Sequence, residues 1–280
     1  MEKTKSFKWT NMLYLLLLLP LMLVFCACGA DPTKQLKTTA TCDTSGDYAA
    51  SDKAAYSEVI GEQTAFEADG YRLTLGVSLK STSGEDPEPV VSEVLYMNAI
   101  IKTVKKDESV DYQAALNAKF DFTKILGGDD EDMKLDTTLY YKDGKAYATD
   151  KDGKKIWHEY SFASMWDAVS GGGELPMFNN VKSIIQIVQY IGNDVTVTRN
   201  GNHFKIVTNS VVEIQGQNID TGATAYINCD SNGKVTEAQL EFEMSMAPTV
   251  KMVYKSTVSA FNDNIVFPDD LNKYVEDKDE

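Results

Sequence analysis

The chain has 280 residues and is acidic, with 42 Asp and Glu against 27 Lys and Arg and a net charge of −15. Only two arginines are present, Arg72 and Arg199, so the chain lacks the basic surface with which proteins bind nucleic-acid phosphates. The same acidity argues against a body that lies flat on anionic lipid. The length is sufficient to bury a sizeable core.

The N-terminus has the composition of an export signal. Lysines in the first eight residues precede an uncharged apolar run over 12–25, which is shorter than the ~20 residues that a helix needs to cross a bilayer. Small Ala27 then precedes Cys28. We therefore predict a signal peptide over residues 1–27 and an extracytoplasmic location for the rest of the chain, whose net charge without that leader is −17.

The stretch Phe25-Cys26-Ala27-Cys28-Gly29 resembles the lipobox of bacterial lipoproteins. The resemblance implies a diacylglyceryl thioether on Cys28, with palmitate-type chains that anchor the protein to the cell membrane. Two or three such chains hold stably, because each buried methylene contributes ~0.8 kcal/mol. The alternative is an uncleaved transmembrane anchor over the uncharged residues 12–30. Both interpretations place the rest of the chain outside the cytoplasm.

Residues 28–56 are rich in Thr, Ser, Ala, Asp, Gly and Lys and contain few large apolar groups. Such a segment cannot bury enough surface to offset the entropy of ordering. We predict that it is the lipidated cysteine and a flexible tether with a reach of ~30 Å. A single β-rich domain would then cover 57–272, and an acidic tail 273–280.

Alternating apolar and polar residues predict strands through most of that domain. The segment 90–104 also fits a helix face, but its β-branched content favours a strand. Dipeptides typical of two-residue hairpin turns join several strands: Asp143-Gly144, Asp152-Gly153, Asn200-Gly201 and Asn232-Gly233. The remaining predicted strands lie at 71–79, 112–122, 135–141, 145–149, 156–160, 195–198, 204–208, 211–217, 223–229, 235–246 and 251–260.

The period changes in the middle of the chain. Ser161 is a suitable cap for a short helix whose apolar positions begin at Phe162 and Met165. An apolar stripe predicts a second helix over 176–191. The order of strands, helices and strands indicates an α+β fold, in which a curved antiparallel half-barrel-like meander packs against one or two mid-chain helices.

Residues that could carry chemistry are few. His158 and His203 lie in or beside predicted strands without a partner motif, and the sequence holds no zinc, nucleophile-elbow or phosphate-loop pattern. We therefore expect a protein that is not an enzyme and has no cofactor or metal. Two hairpins partly match a calcium loop but lack an essential ligand each, so they are interpreted as turns. The acidic loop 128–132 is interpreted as solvated.

Cys42 and Cys229 could form a disulfide, but nothing in their positions requires one, and two unpaired thiols are the preferred interpretation. A pair of carboxylates brought together by folding would be the remaining route to catalysis, as in a hydrolase.

The arrangement resembles lipid-carrier lipoproteins of the LolA and LppX/LprG type. The resemblance covers about residues 65–270 and depends on the leader, the meander, the mid-chain helices and the closing run Ser259-Ala260-Phe261 to Phe267-Pro268. It implies a sheet that wraps helices and holds lipid. The space between sheet and helix is then either a packed core or a cavity for an acyl chain. We expect a lipid or another hydrophobic ligand; the alternative is a non-catalytic envelope protein that binds a protein partner.

Overall fold

The computed structural model describes residues 31–50, 69–82, 89–106, 109–121, 123, 134–149, 153–165, 195–214, 217–247 and 249–277. The predicted signal peptide, Cys28, the acidic loop 128–132 and the predicted helix 176–191 lie outside these residues and stay predictions.

Within these described residues, thirteen strands form one mixed sheet in the order β1-β8-β9-β10-β11-β12-β2-β3-β4-β5-β6-β7-β13. Their bounds are β1 Ala49–Ala50, β2 Gly70–Ser81, β3 Val90–Lys106, β4 Ser109–Asp121, β5 Lys134–Lys142, β6 Lys145–Thr149, β7 Lys155–Glu159, β8 Val195–Asn200, β9 His203–Ile214, β10 Gln217–Cys229, β11 Val235–Ala247, β12 Val250–Ala260 and β13 Val275–Glu276. All neighbouring pairs are antiparallel except β13 with β7.

Two meanders make up this sheet, β2 to β7 and β8 to β12. They join where β12 pairs with β2 along its whole length, from Val250 opposite Ser81 to Ala260 opposite Tyr71. The two strands at the middle of the sheet, β12 and β2, are therefore far apart in sequence. The meander and the strand interpretation of 90–104 are confirmed.

The hairpin between β5 and β6 has the backbone that its sequence predicts. Asp143 and Gly144 both have positive φ, 52° and 75°, as a two-residue turn that follows the twist of the strands requires. At the β8–β9 hairpin the two loop residues are Gly201 and Asn202, because Asn200 pairs with His203. That turn is therefore one residue later than the dipeptide Asn200-Gly201 predicts.

Helix makes up less of the described structure than an α+β fold predicts. A helical turn begins at Phe162, and the Ser161 hydroxyl accepts a hydrogen bond from the Ser164 amide at 3.0 Å, so the predicted cap is confirmed. Otherwise the described ranges hold short 3-10 turns at Lys34–Lys37 and Leu271–Lys273 and the single helical residue Thr123. None of their helical segments has the length and hydrophobicity of a bilayer crossing.

Residues 31–50, which composition assigns to a flexible tether, instead lie across the sheet; we call this segment the strap. Arg72 donates to the carbonyls of Gln35 and Thr38 at 2.5 and 2.6 Å. The Asn98 amide donates to those of Leu36 and Thr38 at 2.6 and 2.8 Å. Polar side chains of the sheet thus bind the strap's backbone. The composition of the strap alone does not predict this interaction, because the donors lie on β2 and β3.

The two ends of the strap are also fixed. Gln35 makes two hydrogen bonds with the backbone of Val266, through its Nε2 at 2.5 Å and its Oε1 at 2.9 Å. At the far end, Ala49 and Ala50 pair with β8. Buried Leu36 joins a small apolar cluster with Ile100, Ala115, Tyr140, Phe261 and Ile265.

The described part of the predicted acidic tail is ordered too. Val275 and Glu276 pair with β7 in parallel, and the Asp277 amide donates to the Trp157 carbonyl at 3.1 Å. Lys155 forms an ion pair with Asp270 beside this strand. The C-terminal segment therefore covers the β7 edge of the sheet.

We predict that Asn98→Ala lowers the free energy of unfolding by about 1–3 kcal/mol, because two strap carbonyls lose their donor in a buried position. Its neighbour across the β3–β4 ladder, Asn117, is only partly buried and is the matched control. Asn117→Ala should cost less than about 1 kcal/mol. Chemical denaturation of both variants measures the difference; a loss for Asn98→Ala no larger than that for Asn117→Ala would contradict a stabilising role of the two Asn98 hydrogen bonds to the strap.

Candidate functional site

The two faces of the sheet differ sharply in chemistry. We call the face that carries Leu73, Ala99 and Leu116 the inner face, and the face that the strap covers the outer face. On the inner face, side chains form rows that run across the strands. The register defines four rows in the central sheet.

Row one is fully buried, with no member more than 3% exposed: Phe204, Ile227, Ala238, Val258, Leu73, Ala99, Leu116 and Leu139. Row two is also buried: Val197, Ile206, Ala225, Leu240, Ser256, Leu75, Met97, Ala118 and Thr137. Row three runs Val195, Thr208, Ala223, Phe242, Tyr254, Val77, Leu95, Phe120 and Leu135. Row four contains Ser210, Thr221, Met244, Met252 and Leu79.

Burial changes between rows two and three. In row three only Thr208 and Ala223 are buried, whereas the large apolar side chains, from Phe242 and Tyr254 to Val77 and Leu95, are half-buried. All of these half-buried residues except Leu135 pack against the core cluster. Row three and the apolar residues of row four therefore form an apolar rim beside the core.

Small side chains recur on the inner face. Ala99, Ala118, Ala223, Ala225 and Ala238 lie in rows one to three beside much larger neighbours. Near the other end of the face the start of the mid-chain helix packs down: Phe162 stacks on Tyr112 with ring centroids 4.5 Å apart, and Met165 joins the same cluster. The contact between sheet and helix that the sequence predicts is therefore present at this end.

No residue in the four rows is charged, and their polar groups are hydroxyls. Tyr254 sits in row three, where burial raises the pKa of its phenol, so the group stays neutral at physiological pH. The Thr208 and Thr137 side chains are 1% and 4% exposed. Nothing within the described residues gives either hydroxyl a hydrogen-bond partner.

Charges lie on the outer face. Glu243 receives Lys80 at 2.9 Å and Lys251 at 3.6 Å, and the hydrogen bond from Lys80 lowers the pKa of this carboxyl. Lys255 approaches Glu241 at 3.8 Å, and Lys119 approaches Asp136 at 2.6 Å. Such exposed pairs contribute little to stability. Their charges make the outer face hydrophilic.

Two open concavities lie on the outer face. One, of about 400 Å³, lies between strap residues 39–42 and the sheet around Gly76 and Tyr96. The other, of about 560 Å³, lies around Gly222 near Glu243. Glycine forms part of each floor because it has no side chain to fill the space. Hydroxyl, amide and charged side chains are among the lining residues of both, whereas the four rows of the inner face hold no charged side chain.

The residues that the sequence analysis singled out do not converge. His158 lies on the short β7, 3.6 Å from Asp277, whereas His203 begins β9, opposite Asn228. Asp230 lies in one of the two hairpins that partly match a calcium loop. Its Oδ1 accepts hydrogen bonds from the backbone amides of Asn232 and Lys234, as in a simple turn. No set of three metal-binding side chains comes together in the parts of the chain that the structure covers.

Cys42 and Cys229 are both free thiols. Cys42 belongs to the strap and lies 3.5 Å from the Asn228 amide on the outer face, whereas Cys229 packs in the inner core. The sheet therefore separates the two sulfurs, which explains why they do not pair.

The apolar rim was not singled out from the sequence, although a signal existed. Thr208 occupies an apolar position in the alternation of Phe204 and Ile206, and Thr137 does the same before Leu139 and Tyr141. A hydroxyl in such a position is a candidate for specific recognition. Only the register shows that Thr208 shares a row with Phe242 and Tyr254.

No protein-family model matches the chain, and no curated protein matches it. Solved structures that match include the S-type phycobiliprotein lyase CPES from Guillardia theta, which is 9% identical and aligns over 75% of this chain and 99% of that one at a TM-score of 0.23. The ywiB protein from Bacillus subtilis is 10% identical and aligns over 69% and 94% at a TM-score of 0.18. These scores are too low to support an argument about function. They do not confirm the resemblance to carrier lipoproteins, which stays a prediction.

We predict that both thiols resist alkylation in the folded protein. Burial raises the pKa of Cys42 to about 12 and that of Cys229 to about 11, and nearby Glu237 and Asp230 act in the same direction. Because only the thiolate reacts, iodoacetamide at about pH 8 should label them on the order of 100-fold more slowly than in denaturant. Mass spectrometry of the labelled peptides measures the rates; equal labelling in both states would contradict the buried positions.

Proposed function

We propose that this protein is an extracytoplasmic lipoprotein, anchored to the cell membrane through acylated Cys28, that binds a lipid or other hydrophobic ligand on the inner face of its sheet. The observation that carries the proposal is row three. Its large apolar side chains are left half-buried beside a fully buried core, within one continuous apolar surface.

Covering the half-buried apolar side chains of row three with an apolar ligand is favourable. Burying apolar surface contributes about 25 cal/mol per Å², so a row of half-buried Phe, Tyr, Leu and Val side chains gains free energy when another apolar group covers it. The absence of charge from the four rows argues against a charged ligand, because such a ligand would lose its hydration without compensation. An acyl chain meets both conditions.

The strap bears on how the domain would be held. Asp31, the first residue of the strap, follows Cys28 by three positions in the sequence. Three extended residues span at most ~10 Å. An acylated chain would therefore keep its domain close to the membrane surface, which is suitable for a protein that exchanges ligand with lipid.

A protein partner is the second candidate. Val90, Val91 and Val211 are 57–62% exposed, and they lie near the ends of long strands at the same end of the sheet as row four. Exposed apolar side chains of this kind can mark a protein contact. Under this alternative, substitution of Val211 would weaken partner capture in intact cells and leave ligand binding unchanged.

The test compares the same substitution, Val to Glu, at two positions. Val77→Glu places a charge in row three, whereas Val211→Glu places the same charge on an exposed site. We predict that the full chain, with detergent kept below its critical micelle concentration, binds the neutral dye N-phenyl-1-naphthylamine, that Val77→Glu weakens binding at least about tenfold, and that Val211→Glu does not. Dye fluorescence measures affinity, and thermal unfolding confirms that both variants fold.

Equal affinity of the three folded proteins would place the dye elsewhere and contradict the inner-face site. Failure of the unsubstituted chain to bind would contradict the proposed function itself.

A further inference from the structure

We propose that the concavity between the strap and the sheet is a second binding site, which takes a neutral sugar ring. Its volume of about 400 Å³ falls in the range of ~300–1,000 Å³ that is typical of small-molecule sites. It lies on the outer face, on the opposite side of the sheet from the apolar rim. Binding there does not depend on the ligand of the inner face.

Two neighbouring rows of the outer face form the floor of this concavity. The register aligns the members of the first row and those of the second: Gln239, Thr257 and Thr74, and then Lys255, Gly76 and Tyr96. The strap is fixed beside the first row, because the Ala40 amide donates to the Thr74 hydroxyl at 2.7 Å. Further along the strap, the Asp43 amide donates to the Glu237 carboxylate at 3.0 Å. The wall of the concavity is therefore held by hydrogen bonds of the fold itself.

Gly76 is one residue that points to a ligand. It lies in the interior of β2, where glycine weakens a strand. Its φ is not positive, and a Cβ built on it would meet only the Leu95 carbonyl oxygen, at 4.0 Å. The bulge between β2 and β3 places its extra residue, Val94, on the other strand. Neither strain nor crowding nor the bulge therefore requires glycine here, and close approach of a ligand to the backbone does.

The amide of Gln239 points to a ligand independently. This residue lines the concavity and is 7% exposed. Its Oε1 accepts a hydrogen bond from the Thr257 hydroxyl at 3.4 Å, but its Nε2 has no acceptor among the described residues. Unlike the Thr208 hydroxyl, this nitrogen is not sealed inside the fold. A largely desolvated donor without an acceptor is unfavourable, and a ligand oxygen in the concavity would satisfy it.

The lining of the concavity indicates a ligand with many hydrogen-bonding groups. Besides the Gln239 amide and the Tyr96 phenol, four threonine hydroxyls line it: Thr39, Thr41, Thr74 and Thr257. An apolar molecule would leave such groups without partners. Sugar hydroxyls both donate and accept hydrogen bonds, and the carbon face of a sugar ring packs well on an aromatic ring such as that of Tyr96.

The charges around the concavity disfavour an ionised ligand. Among the described residues that line it only Lys255 is charged, and its Nζ lies 3.8 Å from Glu241. Burial raises the pKa of the Cys42 thiol, and Glu237 and Asp43 raise it further, so the potential on the strap side is negative. An anion would be repelled by these carboxylates, and a cation would find no carboxylate among the lining side chains. A neutral sugar avoids both costs.

The first experiment measures sugar binding to the full chain by saturation-transfer NMR, in a detergent that has no sugar headgroup. The probes are glucose, N-acetylglucosamine and glucuronate, which share a pyranose ring and differ in charge and substituents. We expect at least one neutral sugar to bind, at least about tenfold more tightly than glucuronate. No signal from either neutral sugar, or binding of glucuronate that is equal or tighter, would overturn the proposal.

The second experiment fills the space beside the backbone. Gly76→Val adds a β-branched side chain to the floor, and Ser78→Val makes a change on the same face of β2 but outside the concavity. Gly76→Val should raise the unfolding temperature by about 2–4 °C, because valine favours strands, and yet weaken neutral-sugar binding at least about tenfold. Ser78→Val should leave sugar binding unchanged, and neither variant should alter dye binding on the inner face.

Full sugar affinity in a folded Gly76→Val protein would contradict this site. A lowered unfolding temperature would show that packing requires the glycine, and would contradict the argument from Gly76. Dye binding by the same proteins tests the inner-face site separately, so either site can fail without the other.

Discussion

The side-chain alternation of long antiparallel strands is the constraint on which the rest of the structure depends. Because successive residues point to opposite faces, the pairing of β12 with β2 aligns Val258 with Leu73 on one face and Ser259 with Arg72 on the other. A slip of one residue would exchange the two sets and bury charge. The same register that builds the apolar core therefore also extends it into the half-buried row three and keeps the ion pairs on the outer face.

On the outer face the sheet buries polar side chains whose hydrogen bonds are satisfied by the strap. Arg72 and Asn98 are buried because their donors bind carbonyls of the strap, and the strap is ordered because those donors exist. Each side satisfies groups that would otherwise lose their hydration. The strap thus makes residues 31–50 part of the folded body, through contacts with the sheet and with β8.

Much of the sheet could be predicted from the sequence, because period-two alternation and turn dipeptides such as Asp143-Gly144 are local signals. The strap could not, since its order comes from Arg72 and Asn98, which lie more than thirty residues away in sequence. The apolar rim was also hidden: Phe242 and Val77 are both recognisable as apolar strand positions, but only the long-range register places them in one row with Tyr254. The sequence therefore predicts that the candidate site is apolar, but it does not predict where on the sheet the site lies.

Native mass spectrometry of the chain purified from its own host tests most directly whether the inner face holds an apolar ligand. We expect a folded protein that carries an additional non-covalent mass, which is lost on unfolding and corresponds to an apolar molecule. A folded protein that carries no such mass, and takes none up from an added lipid extract, would contradict it.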